Sequence, residues 1–144
     1  MMLEADVLYA FVKEKDWLKP IAERLLELVE EGFFGDVYAC REVFHELYYV
    51  SMEEGVTLDE YMARVAALTS INHLVFLETS WEIDFLALTL MKQYGLTSIF
   101  DAYYAATALS MDPERTIVST DRVYDRVPGL RRIDPRELIV QVKR

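Results

Sequence analysis

The sequence lacks the features that mark membrane, secreted and fibrous proteins. Its 144 residues include five glycines, four prolines and one cysteine, with no repeat and no linker rich in glycine or proline. No apolar run approaches the roughly 18 residues that a membrane-spanning helix needs. No basic stretch followed by an apolar run opens the chain, so we expect no secretory signal. These absences predict one globular domain over residues 1–144 that does not enter a membrane.

A single cysteine excludes an internal disulfide. Cys40 has no partner in the chain, and we interpret it as a small buried apolar side chain. A chain without disulfides suits a reducing compartment, so we expect a cytoplasmic protein.

Positive charge is scarce in most of the chain. The formal net charge is −10, from 15 basic and 25 acidic residues. Residues 1–114 carry 7 basic and 21 acidic residues, whereas residues 115–144 carry 8 basic and 4 acidic ones. An acidic body argues against non-specific nucleic-acid binding. The basic C-terminal part either guides a phosphate backbone to one edge of the protein or is a solvated face that balances the acids.

Short apolar runs alternate with helically spaced patterns along the chain. The runs predict strands at about residues 1–4, 37–40, 72–77, 115–118 and 130–133. Helices are predicted over residues 7–13, 17–31, 42–52, 57–68, 80–94 and 98–111, with a short one beginning at Pro135. This alternation is typical of an α/β fold, a three-layer α/β/α sandwich around a central parallel sheet. Sites in such sheets lie at the carboxyl ends of the strands.

Several carboxylates occupy positions where a bare charge is unfavourable. Glu4 follows the first short apolar run, and Glu46 shares the inward stripe of its helix with Val43 and Val50. An inward glutamate needs a partner, either a basic side chain or a cation. Two carboxylates about 4 Å apart repel by roughly 4 kcal/mol at a protein-like dielectric. A cluster of such acids must therefore hold protons or a cation.

Capping is the simpler explanation for three further acids. Asp101 stands three residues after Ser98, where an acid stabilises a helix N-terminus. Asp6 and Asp121 each occupy a turn where an aspartate is a good N-cap. Asp125, one helical turn after Asp121, is expected to face water. Glu4 has no evident capping role.

Taken together, the acids resemble the motifs of PIN-domain nucleases. Glu4-Ala5-Asp6-Val7-Leu8 resembles the opening motif of the family, and Glu46 resembles its second acid. The segment Phe100–Ala108, which contains Asp101, is the most specific similarity, and Val118-Ser119-Thr120-Asp121 followed by Tyr124 resembles the fourth motif. The order and spacing match over nearly the whole chain. The first acid departs from the family, which usually has aspartate where this chain has Glu4.

The resemblance implies a metal-dependent ribonuclease that hydrolyses single-stranded RNA. It implies Glu4, Glu46, Asp101 and Asp121 as catalytic residues, and these four with Asp6 as the metal site. Oxygen-only ligands select Mg²⁺ or Mn²⁺, and neither His45 nor His73 has a ligand spacing. Relatives of this size include toxins held by an antitoxin protein, so an antitoxin is the expected partner. A homodimer is compatible with the sequence.

Three further interpretations are weighed against the nuclease. A haloacid-dehalogenase-like phosphatase needs aspartate as its first acid, where this chain has Glu4. A dinucleotide-binding domain is disfavoured because no Gly-x-Gly-x-x-Gly motif occurs. The same fold with a weakened site could instead be an RNA- or protein-interaction module. Its surface would use aromatic residues that are otherwise core, namely Phe11, Trp17, Phe33, Phe34, Tyr48 and Tyr49.

Overall fold

Five parallel strands form a single sheet in the computed structural model, which describes residues 1–143. The strands are β1 (Met2–Leu3), β2 (Val37–Cys40), β3 (Leu74–Leu77), β4 (Thr116–Val118) and β5 (Arg131–Ile133). The helices are α1 (Ala5–Val12), α2 (Lys19–Glu30), α3 (Val43–Glu54), α4 (Leu58–Thr69), α5 (Trp81–Tyr94), α6 (Ile99–Met111) and α7 (Pro135–Lys143). A 3₁₀ turn spans Arg122–Arg126. This arrangement confirms the predicted α/β/α sandwich.

The strand order β3-β2-β1-β4-β5 places β1 at the centre of the sheet. Leu3 lies opposite Ala39 of β2 and Val118 of β4. The chain leaves β1 for β2 on one side and later returns to β4 on the other, so the strand order switches at β1. Ligand sites in parallel sheets lie at the carboxyl ends of the strands beside such a switch. The segments that follow β1 and β4 therefore frame the expected site.

The central strands are buried because both faces of the sheet are covered. Met2, Leu3, Ile117 and Val118 have no exposed surface, and strands covered on both faces are continuous apolar runs rather than alternating ones. Helix α6 packs through small side chains, since its alanines at 102, 105, 106 and 108 are fully buried. This burial holds the start of α6 near the sheet.

Local sequence signals fix most of the helix ends. Gly55 and Gly95 follow α3 and α5 in the left-handed conformation, with φ of 89° and 70°, where glycine is favoured. Thr57 caps α4 as predicted, because its hydroxyl accepts the N–H of Glu60 at 3.1 Å. Ser80 precedes α5, but its side chain accepts no capping hydrogen bond.

The observed boundaries differ from the predicted ones at several ends. Helix α1 begins at Ala5 rather than at residue 7, and its N-cap is Glu4, not Asp6. Helix α3 begins at Val43 and continues to Glu54, and β1 has only two residues. None of the described helices is long and apolar enough to span a bilayer.

Candidate functional site

The loops after β1 and β4 meet at the carboxyl edge of the sheet. The backbone N–H of Glu4 donates to the carbonyl of Val118 at 3.1 Å, which extends the pairing of the two strands by one residue. Glu4 then caps α1, since its Oε2 accepts the N–H of Asp6 at 3.3 Å. The Ser119 hydroxyl donates to the same Oε2 at 3.1 Å. Glu4 is only 5% exposed, so its carboxyl group is fixed at the junction of the two strands.

Asp6 joins α1 to the loop after β4. Its Oδ2 accepts both the backbone N–H and the hydroxyl of Thr120, at 2.8 and 2.7 Å. Its Oδ1 accepts the N–H of Val7 at 2.8 Å. The hydroxyls of Ser119 and Thr120 are thus engaged with protein carboxylates. Asp6 is half-buried and has hydrogen bonds on both oxygens.

Glu46 points inward from α3, and its partner is a tyrosine rather than a lysine or an arginine. The Tyr104 hydroxyl on α6 donates to Oε1 of Glu46 at 2.9 Å. Tyr104 is fully buried, and burial raises the pKa of its hydroxyl far above the ordinary value, so the hydroxyl keeps its proton and acts as the donor. The inward orientation predicted for Glu46 is observed, and the partner satisfies it without neutralising its charge.

Asp101 and Asp121 each lie at the start of a helical segment, and both also belong to the candidate site. Ser98 caps α6 by accepting the N–H of Asp101 at 3.4 Å, while the Asp101 carboxylate accepts the Tyr124 hydroxyl at 3.3 Å. Asp121 caps the 3₁₀ turn by accepting the N–H of Val123 at 2.9 Å. Capping therefore explains one interaction of Asp121 but does not explain the direction of the Asp101 carboxylate.

One open cavity of about 580 Å³ collects all five predicted carboxylates. Its lining consists of Glu4, Ala5, Asp6, Tyr9, Glu46, Leu47, Val50, Ser98, Asp101, Thr120 and Asp121. Side chains from α1, α3, α6 and the loop after β4 thus converge on one volume. Neither lysine nor arginine is among these lining residues, so no basic side chain neutralises the acids inside it.

Burial and mutual repulsion raise the pKa values of three of these carboxyl groups. Burial raises the pKa of Glu4 well above its usual range, and the neighbouring carboxylates raise it further. Burial, followed by the charge of Asp121, raises the pKa of Asp101 from 3.8 to about 6. Burial also raises the pKa of Glu46. Carboxyl groups in this condition bind protons or a cation readily.

The sequence matches the family model of the PIN domain over residues 1–130. This match covers most of the chain and includes every carboxylate of the cavity. The chain belongs to the PIN-domain family. No curated protein sequence matches it.

Two solved structures share the fold of this PIN domain. VapC20 of Mycobacterium tuberculosis, a sarcin–ricin loop cleaving toxin, is 13% identical with a TM-score of 0.70, over 86% of this chain and 92% of VapC20. A chain of VapBC2 from Rickettsia felis, solved bound to a DNA fragment from its promoter, is 18% identical with a TM-score of 0.69. That similarity covers 92% of this chain and 96% of the other. At these identities the similarity shows the fold alone.

The donor chemistry of the PIN-domain cavity fits a hard divalent cation. Its candidate ligands are carboxylate oxygens, which Mg²⁺ and Mn²⁺ prefer, and burial without basic partners favours bound positive charge. However, within residues 1–143 no group of three histidine, cysteine, aspartate or glutamate side chains has the geometry to bind one metal ion. Glu4 and Asp6 point instead toward the hydroxyls of Ser119 and Thr120. A cation would therefore have to draw the carboxylates together.

A second opening of about 550 Å³ shares Asp101 and Asp121 with the first. Arg122 and Arg126 line it together with Thr97 and Val123. Both arginines are exposed, and neither forms an ion pair within the described part of the chain. The PIN domain thus has unpaired positive charge on one side of its acidic cavity.

Other residues considered at the sequence level lie away from the carboxylates. His45 pairs with Glu42 at 2.8 Å on the exposed side of α3, and neither His45 nor His73 lines the cavity. Asp125 is exposed as predicted and pairs with Arg132 at 2.9 Å.

Tyr104 and Tyr124 hydrogen-bond to acids of the cavity. Both lie within the PIN-like sequence motifs, but neither was among the predicted site residues. Tyr104 lies three residues after Asp101 and so shares its helix face, a signal that could have shown that it points toward the acids. The position of Tyr124 depends on the path of the 3₁₀ turn, which local sequence does not specify.

Proposed function

We propose that this PIN domain, as one domain over residues 1–144, is a metal-dependent ribonuclease that hydrolyses single-stranded RNA. The observation that carries this proposal is the convergence of five acidic side chains on one cavity without a lysine or arginine in its lining. Five acids from four segments of the chain have no evident stabilising role as a group. Their mutual repulsion is a cost that cation binding would offset.

The hydrogen bonds suggest different roles for the individual acids. Asp101 and Glu4 would bind Mg²⁺ or Mn²⁺ directly. Asp6 already accepts hydrogen bonds on both carboxylate oxygens, so it would mainly fix the loop after β4 against α1. Glu46, oriented by Tyr104, and Asp121, exposed at the cavity mouth, would position the attacking water. A cation held by Asp101 and Glu4 would supply Lewis-acid polarisation of the phosphodiester and would lower the pKa of that water.

The arginines beside the cavity would provide the RNA-binding charge that the acidic body lacks. Arg122 and Arg126 border the same two acids, Asp101 and Asp121, from the other opening. A phosphate backbone that passes the carboxylates would meet these guanidinium groups, which are suited to phosphate. The basic C-terminal segment would then have a specific role at one edge of the site.

The fold neighbours favour a toxin of a toxin–antitoxin pair that acts in the cytoplasm. VapC20 is described as a toxin, and VapBC2 was solved bound to a DNA fragment from its promoter. We extend this to the present chain as a proposal, with an antitoxin protein as its partner. Expression of the chain alone in a bacterial host is expected to arrest growth, whereas expression of Asp101→Asn is not.

The direct test is cleavage of a labelled single-stranded RNA with Mg²⁺ or Mn²⁺. We expect cutting that EDTA abolishes and that Asp101→Asn reduces by about 100-fold or more, since even residues that only support a metal ligand cost 10- to 100-fold. Asp125→Asn is the matched control, because Asp125 lies outside the cavity and pairs with Arg132. Equal activity of the two variants would contradict the assignment of the site.

An interaction module without catalysis is the second candidate function. It is favoured by the observation that, within residues 1–143, the carboxylates do not form a metal-binding geometry. The Glu4 carboxylate instead accepts a hydrogen bond from the Ser119 hydroxyl. RNA binding without cleavage, together with no heat of metal binding in calorimetry, would support this alternative over the nuclease.

A further inference from the structure

A row of aromatic side chains crosses the surface beside the acidic cavity. Tyr61 of α4, Tyr48 and Tyr49 of α3, and Phe100 of α6 contact one another in sequence, with ring centroids 5.6, 5.6 and 6.4 Å apart. Tyr61 is buried at one end of the row and Phe100 is half-buried at the other. Between them, Tyr48 is 40% exposed and Tyr49 is 59% exposed. The middle of this row is therefore open to solvent although its ends are anchored.

The row begins next to two of the carboxylates. Tyr49 lies three residues after Glu46 on α3, so the two share a helix face about one turn apart. Phe100 immediately precedes Asp101 on α6. Since the rings of Tyr49 and Phe100 contact each other, they bridge the two helices that carry these acids. Neither ring lines the cavity itself. The exposed ring of Tyr49 lies on the helix that supplies Glu46 and contacts the helix that supplies Asp101.

The surroundings of the carboxylates differ from one side to the other. Arg122 and Arg126 line one opening together with Asp101 and Asp121, whereas Tyr49 and Phe100 lie on the two helices that supply Glu46 and Asp101. Phosphates are bound by cationic side chains, and unpaired bases stack on aromatic faces. A polynucleotide whose bases are free to turn outward can contact the arginines through its phosphates and the aromatic rings through a base. A duplex does not, because its bases are already stacked on each other.

We propose that Tyr49 and Phe100 form a stacking platform for a base of single-stranded RNA whose backbone passes the acidic cavity. This inference rests on the proposed function, and it explains why the proposed nuclease would prefer unpaired RNA. Tyr49 provides the exposed face, and Phe100 keeps the Tyr49 ring in place from α6. Stacking is tolerant of base identity, so the platform selects unpaired RNA rather than a particular sequence.

The test is a thermodynamic cycle between Tyr49 and single bases of a fluorescent RNA oligonucleotide. Binding is measured by anisotropy in an Asp101→Asn background, which prevents cleavage without touching the platform. Tyr49→Ala is expected to weaken RNA binding by about 5- to 150-fold, since stacking of one base accounts for roughly that range. Tyr49→Phe, which keeps the ring, is expected to stay within about twofold of the tyrosine protein.

Phe33→Ala is the matched control. Phe33 is 60% exposed and packs edge-on against Phe34 at 5.0 Å, but it precedes β2 and so lies at the opposite edge of the sheet. One abasic position in the RNA should cost as much affinity as Tyr49→Ala, and the two losses should not add. Additive losses, or equal effects of Tyr49→Ala and Phe33→Ala, would overturn the platform while leaving metal-dependent cleavage intact. No RNA binding by any of the proteins would overturn the platform and, if cleavage is also absent, the nuclease.

Discussion

Of the five cavity acids, Glu4 has the environment that is least favourable for a negative charge. Its carboxyl group is almost completely buried, and four surrounding acids face the same cavity. Two hydrogen bonds, from Asp6 N–H and Ser119, hold it in place but do not compensate a buried charge. The folded protein therefore tolerates Glu4 best when the group carries a proton or shares a cation.

Replacing Glu4 with glutamine should change stability and metal affinity in opposite directions. Glu4→Gln keeps the length of the side chain and an oxygen that can accept both hydrogen bonds, but it removes the charge. We expect the metal-free protein to become more stable above neutral pH, while its affinity for Mn²⁺ falls by about 10- to 100-fold. Urea unfolding and calorimetry measure the two effects. A loss of stability with unchanged metal affinity would show that Glu4 is only a cap; Glu31→Gln, exposed on another surface, is the control.

We expect Tyr104 to be a positioning residue for Glu46. Tyr104→Phe removes only the hydroxyl that donates to Glu46. We expect a stability loss of about 1.5–3 kcal/mol, the typical cost of a hydrogen bond to a charged group, and a fall in the rate of RNA cleavage of about 10-fold with little change in KM. Tyr38→Phe is the control, since the Tyr38 hydroxyl forms no side-chain hydrogen bond within residues 1–143. Unchanged kcat in Tyr104→Phe would exclude this role.

The sequence singled out the five acids that the cavity brings together, but not their hydrogen-bond partners. The predicted acids could be recognised because each stands at a strand end, a helix entrance or an inward helix stripe, which are local properties. Ser119 as the partner of Glu4, and Thr120 as the partner of Asp6, depend on β1 lying beside β4 across more than 110 residues. Local sequence carries no information about that pairing.

At the level of elements, α6 contributes most to the site. It carries Asp101 in its first turn and Tyr104 one turn later, and its buried alanines let it lie close to the sheet. Helix α3 supplies Glu46 and meets α6 through the hydrogen bond from Tyr104 to Glu46 and the ring contact of Tyr49 with Phe100. The sequence predicted these two helices to within a few residues, because Ser98 and Gly55 mark their ends. The two-residue β1 was predicted one residue too long at each end, because its length depends on pairing with both neighbours.

Helix α4 should contribute stability without contributing to the chemistry. Its cap, Thr57, lies outside the cavity and accepts the N–H of Glu60 at 3.1 Å. Thr57→Ala is expected to lower the free energy of unfolding by about 1 kcal/mol, with RNA cleavage unchanged at temperatures well below unfolding. Thr57→Ser, which keeps the hydroxyl, should restore most of the loss. A fall in kcat that the serine variant does not restore would show that α4 communicates with the site.

At the level of the whole molecule, the acids whose pKa values change on folding determine how stability depends on pH. The pKa of Glu54 is lowered by Arg64 and that of Asp134 by Arg136, so the stability from these pairs is lost only in acid. The cavity acids behave oppositely. A carboxyl group whose pKa is raised by folding binds its proton more tightly in the folded protein, and its contribution is lost as pH rises through the raised pKa.

The metal-free protein is therefore expected to lose stability between about pH 4 and pH 7. The pKa of Asp101 rises on folding from 3.8 to about 6, and those of Glu4 and Glu46 are raised as well, so the folded chain holds more protons than the unfolded chain across this interval. Saturating Mg²⁺ should reverse the slope, because the ion binds the deprotonated carboxylates of the folded state only. Urea midpoints measured across this range, with EDTA and with Mg²⁺, give both slopes. Asp101→Asn should flatten the EDTA profile, and a profile that rises with pH in EDTA would show that the five acids do not act as one charged cluster.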